Sequence, residues 1–197
     1  MSDEIWEYEA DGTDEDNRAA GADGADEHAV AERIDMAHAD NPRLRAWLDE
    51  QRGGFADWSR RHGGGWDFGE RSLDRVEALI REHVTSTDDL FAREHTPLIQ
   101  VACWYVGEVH NRTRGTQWRM DPDPADSHPW SRRPYVIVPF ARLDEYRDPE
   151  GIDYDARPQH HPLSSFLALL REGPTTGPAP LRAELDDYEP GAGTDEE

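Results

Sequence analysis

No lysine occurs among the 197 residues; all 21 basic side chains are arginine. The lack of a side-chain amine excludes each chemistry that needs one: the phosphate lysine of a Walker A loop, Schiff-base formation, and the acylation machinery of a Ser-x-x-Lys site. Cysteine is nearly as scarce. With Cys103 alone, neither an internal disulfide nor a multi-thiolate metal site can form within the chain, and its apolar neighbours give it the place of a small buried hydrophobe. No apolar run approaches the roughly 18 residues of a membrane span, and Met1–Asp16 is acidic where a signal peptide is basic. A cytoplasmic protein that does not engage a membrane is expected. Excess positive charge is missing as well: 43 acids outweigh the arginines to leave a net charge of −22. This disfavours a nucleic-acid binder, because neutralising phosphates supplies most of such affinity.

The acids that are present are unevenly placed. Residues 1–40 hold 14 acids against Arg18 and Arg33, a balance of −12, and residues 184–197 hold seven acids and no base. Residues 41–183 are nearly neutral at −3. The expectation is one folded body, 41–183, flanked by an acidic arm (1–40) and an acidic tail (184–197), both disordered for the most part. Asp11–Glu27 lacks apolar periodicity and cannot offset the entropy of ordering. A short helix is expected over His28–Ala39, with Val30 and Ile34 on one side.

Within the body, Asn41 and Pro42 form a cap-plus-proline helix start, followed by Leu44, Trp47 and Leu48 at helical spacing. Gly53 and Gly54 are expected to interrupt this helix before Phe55 and Trp58. The glycine-rich stretch His62–Glu70 reads as a loop that folds Trp66 and Phe68 back onto the body. Ser72 then caps a helix to about His83 bearing Leu73, Val76, Leu79 and Ile80. A further short helix covers Thr87–Glu94. Thr96 and Pro97 open the most apolar helix, Leu98–Arg112, whose apolar residues take up nearly the full circumference. It belongs at the centre. After Gly115 the period changes, and Thr116–Met120 and Tyr135–Phe140 read as strands. A last helix runs from Pro162 to Glu172. The order indicates an α+β fold, several helices packed on a small antiparallel sheet.

Glu108 is the most conspicuous residue, a carboxylate set into an apolar helix face between Trp104 and Tyr105. Buried without a partner it would cost several kcal/mol, about the energy that displaces buried carboxyl groups by 3 pH units or more. Arg112, one turn on, is the structural partner expected. The alternative is a hydrolase-type enzyme, with or without a metal, in which Glu108 works with His110 and His128. His110 lies about 160° around the same helix from Glu108, so those two cannot meet unaided. Gly107, costly in a helix interior, implies a close neighbour, expected to be the strand around Trp118. Arg60 and Arg61 beside Trp58, and Arg132 and Arg133 beside Trp130, pair the two residue types most enriched at binding hot spots. These six are the candidate binding residues. The nine histidines show no His-Glu-x-x-His spacing, and His160 and His161 are adjacent, which in extended chain points their rings apart. Neither a metal nor a cofactor is therefore expected.

The series Tyr105, Gly107, Glu108, Arg112, Gly115 and Trp118, followed by a strand and a leucine-rich helix, resembles a pattern in small uncharacterised actinobacterial α+β proteins, some of them immunity- or accessory-like. The resemblance spans residues 70–173. It implies a helix-to-strand packing unit in which Gly107, Glu108, Arg112 and Trp118 are structural. The expected function is non-enzymatic protein binding, with the acidic arms steering a basic partner.

Overall fold

The computed structural model describes residues 28–123, 132–146, 155–172 and 180–188. The chain divides into two units, Met1–Met36 and Ala37–Glu197. Residues 28–39 are helical (α1). The expected disordered stretches 1–27 and 189–197 lie outside the described residues.

The body has an α+β fold: helices α2 (Pro42–Arg61), α3 (Ser72–His83), α4 (Thr87–Arg93), α5 (Pro97–Arg114), α6 (Pro162–Glu172) and α7 (Pro180–Ala183) accompany a three-stranded sheet that packs on α5. Its strands are β1 (Gln117–Arg119), β2 (Tyr135–Ile137) and β3 (Gln159–His160), in the order β1-β2-β3 and antiparallel throughout. Trp118 faces Val136 across the first pair and Val136 faces His160 across the second. Short 3-10 turns follow at Phe140–Tyr146 and Glu184–Tyr188.

Helix α5 runs through the middle. It packs on α2, α3, α4, α6, both long strands and the last 3-10 turn, and Ile99, Val101, Ala102, Tyr105, Val106 and Val109 are buried all round it. Its end follows from Gly115, whose φ of 69° is the left-handed conformation a helix stop requires. Asn41 ties the start of α2 to the sheet. Its side-chain oxygen accepts from the Leu44 amide at 2.9 Å while its amide donates to the Met120 carbonyl at 2.9 Å.

Three elements differ from expectation. Helix α2 is unbroken through Gly53 and Gly54. Two helical glycines cost about 1 kcal/mol each, less than the burial of Leu44 and Trp58 on either side contributes. At Gly54 a Cβ would stand 3.6 Å from Val101, an ordinary packing contact, so this position touches α5 without requiring glycine. Ser72 is the first residue of α3 and not its cap: its hydroxyl donates to Gly69 O and accepts from Tyr105. Residues 184–188, expected to open the acidic tail, pack onto the body together with 180–183. Leu181, Leu185 and Tyr188 are all buried, an apolar i, i+4, i+7 set overshadowed in the sequence by the acids around it.

The glycine-rich loop turns aromatics inward, as its composition suggests. Gly63, Gly64 and Gly65 have positive φ, and Trp66 packs 4.8 Å from Trp58 and 5.2 Å from Tyr105. The Gly64 and Gly65 carbonyls each accept from Arg75 at 2.8 Å, and that guanidinium sits 4.1 Å over Trp66. The loop thus presents carbonyls to a cation, the reverse of a phosphate cradle.

Candidate functional site

On one side of α5, Gly107 leaves a gap that the Trp118 indole occupies. A Cβ built on Gly107 would fall 2.1 Å from Cη2 of that ring. The expected neighbour is the right residue, but its ring makes the contact, not its backbone. The indole N–H then donates to Glu108 Oε1 at 2.9 Å, and Arg112 lies 3.7 Å from Oε2. Arg112 in turn stacks 3.6 Å over Phe68. Glu108, Trp118 and Arg112 form a closed structural relay in which both carboxylate oxygens have partners. His110 points to the other side of the helix and does not join Glu108, and His128 lies outside the described residues. The described residues therefore do not assemble the catalytic pairing of Glu108 with His110.

The arginine–tryptophan pairs are placed differently from expectation. Trp58 is buried, 3% exposed, with its N–H donating to Leu98 O at 3.3 Å. It cannot serve as a surface anchor, because Leu44, Gln51 and Trp58 recur every seven residues and share the face turned to α5. Arg60 and Arg61 are exposed, the former paired with Asp57. Arg133 makes a two-pronged ion pair with the buried Glu94, at 2.5 and 2.9 Å. Arg132 is exposed, and Trp130 lies outside the described residues. Cys103 is buried against this pair, and burial pushes its thiol pKa well up, the Glu94 carboxylate adding to the effect.

Facing away from Glu108, α5 presents His110 to a cluster that has no sequence motif. His110 is fully buried. Its ring stacks on His160 with centroids 4.5 Å apart and planes 18° from parallel. Its Nδ1 is 3.0 Å from the Tyr188 hydroxyl, while its Nε2 is buried with no hydrogen-bond partner. His160 Nε2 is 2.5 Å from Ser165 Oγ and 2.9 Å from Glu184 Oε2. Burial, with His160 and Arg114 nearby, drives the His110 pKa down to about 2, so the ring is neutral. Burial also raises the Tyr188 phenol, which stays protonated.

No family model, curated protein or solved structure matches this chain. Function therefore rests on the geometry alone. His110, His160 and Glu184 bring their ligand atoms within 4.8 Å of one another from α5, β3 and the last 3-10 turn. Two imidazoles and a carboxylate suit a transition metal of borderline softness. The sequence hides this group because its members are 50 and 24 residues apart and two of them sit in segments too short for a periodic signal. A concavity of about 360 Å³ lies between α2 and α5 beside Trp47, Glu50, His95 and Gln100. There the Trp47 N–H donates to Gln100 Oε1 at 2.6 Å and Gln100 Nε2 to Glu94 O at 2.7 Å, so these two lining side chains are already matched. Among the described residues no helix is long and apolar enough to cross a membrane.

Proposed function

We propose that the chain is a non-enzymatic protein-binding module, immunity- or accessory-like in kind, whose acidic segments steer a basic partner toward the body. The observation that carries this reading is where charge is left uncompensated. Across the body, several surface arginines are matched locally, as in Arg45–Asp40, Arg52–Asp49, Arg93–Asp89 and Arg142–Glu145. Residues 1–36 form a unit of their own and carry 13 acids against two arginines, too few cations to neutralise them. Such a field reaches about one Debye length, roughly 8 Å at physiological salt. Complementary charge of this kind accelerates encounter by about 10- to 1000-fold at low salt. The contacts of Glu108 with Trp118 and Arg112 support a structural role for this carboxylate.

The test uses the full chain and a full-length variant in which the acids of residues 1–27 are replaced by asparagine and glutamine. A partner is first captured with the wild-type chain from an extract of the native host, and its association rate is then followed against ionic strength. The expected result is a steep salt dependence for the wild type that flattens in the variant, with little change in dissociation rate. Equal on-rates at low salt, or no saturable protein partner, overturn the proposal.

A further inference from the structure

We propose that His110, His160 and Glu184 bind one borderline divalent transition-metal ion, zinc fitting best, and that this ion fastens the C-terminal 3-10 turn to α5 and the sheet. The inference goes beyond protein binding and stands independently of it. Its first support is convergence: the three ligand atoms lie within 4.8 Å of one another although they come from three separate elements. Around a tetrahedral zinc with bonds of about 2.0–2.2 Å, ligand atoms stand about 3.4 Å apart. To reach that geometry the widest pair must close, the His160 Nε2–Glu184 Oε2 pair, now 2.9 Å apart, must open, and the His110–His160 stack, 18° from parallel, must tilt so that both rings face one ion.

The second support is a nitrogen with nothing to do. His110 is 0% exposed and its Nε2 has no hydrogen-bond partner. When Nδ1–H donates to the Tyr188 oxygen 3.0 Å away, Nε2 carries a bare, buried lone pair. Metal-binding imidazoles are generally oriented in this way, by a hydrogen bond from the other ring nitrogen. The third support is the neighbouring pair. Glu184 Oε2 is only 2.9 Å from His160 Nε2, yet it makes no well-formed hydrogen bond and has no other partner. An ion between the two atoms would satisfy both. The Ser165 hydroxyl, now 2.5 Å from His160 Nε2, already reaches the His161 carbonyl at 3.4 Å and can turn to it. Side chains of His160 and Glu184 are 13% and 21% exposed, a nearly closed setting that suits a structural ion with water or Ser165 in the fourth position.

The experiment titrates chelator-stripped, dialysed full-length protein with zinc chloride, and in parallel with cobalt chloride. One equivalent of zinc should bind, with a rise of several degrees in Tm, and cobalt should give the intense visible absorption of a four-coordinate ion. Loss of a direct ligand should exceed the 10- to 100-fold cost typical of outer partners, so His160→Gln and Glu184→Gln should each weaken zinc by about 100-fold or more. Tyr188→Phe should weaken it by about 10-fold. The exposed His95→Gln serves as a control and should leave binding unchanged. Because His110 is fully buried, its replacement is judged by the cobalt spectrum of whatever fraction folds. No stoichiometric zinc binding overturns the proposal, and so does binding that survives in both His160→Gln and Glu184→Gln.

Discussion

Gly107 and Trp118 share a volume that only one of them can fill. A methyl at position 107 would meet ring carbons of Trp118 at 2.1 and 2.2 Å, far inside contact distance, and the ring is held in turn by its hydrogen bond to Glu108. Gly107→Ala should therefore destabilise the protein by about 1–3 kcal/mol or more, the ordinary cost of overpacking. Trp118→Phe removes the clashing atoms, so the alanine should cost clearly less in that background. A double-mutant cycle by urea denaturation measures the difference, and strictly additive effects would show that the two residues do not compete for space. This contact was legible in the sequence, since a glycine in an otherwise apolar helix interior asks for a close neighbour. The demand of Glu108 for a partner was equally legible, and Arg112 and Trp118 meet it. The role of His110 was not, because nothing local distinguishes a histidine facing two residues 50 and 74 positions away.

Among the elements, the C-terminal segment shows most clearly why some structure escapes a reading by composition. Around Leu181, Leu185 and Tyr188 the chain is acidic enough to pass for a solvated tail, yet these three side chains are buried. Arg114 secures them by donating to the Leu185 carbonyl at 2.8 Å, and Tyr146 by donating to the Tyr188 carbonyl at 2.9 Å. Leu185→Ala should cost about 2–5 kcal/mol, the range for truncating a fully buried leucine. Thermal or urea denaturation checks this, and a loss below about 0.5 kcal/mol, the level of a surface substitution, would show that the segment does not contribute to the core. Helix α2 fails in the opposite direction. Its two glycines suggest a break, but tertiary burial on both sides overrides local propensity. Strand β3, two residues between prolines, is too short to announce itself by alternation.

For the molecule as a whole, the α+β class, the central position of α5 and a small antiparallel sheet followed from changes of hydrophobic period along the chain, whereas the register that sets Trp118 opposite Val136 did not. The separation of charge followed from simple position. What periodicity does not carry is which distant residues meet, and the imidazole–carboxylate cluster is made entirely of such meetings. Global stability should also depend on pH through histidines kept neutral in the fold. His62 has its pKa lowered, first by burial and then by His83 and Arg61. Because the folded value lies below the unfolded one, its contribution is complete above about pH 6.5 and declines as pH falls through that value. In urea denaturation between pH 7.5 and pH 5.5, His62→Gln should lose less stability than the wild type. An identical decline in both proteins would remove His62 from the explanation.

The inward fold of the glycine-rich loop has an optical consequence. Trp58 and Trp66, brought to 4.8 Å between centroids, are near enough for their excited states to mix, and a guanidinium rests on one member of the pair. The far-ultraviolet circular dichroism should thus carry an exciton contribution from this junction of loop and helix beside that of Trp47 and Trp118, 5.1 Å apart, and the part lost in Trp66→Phe reports the junction without attaching any dye.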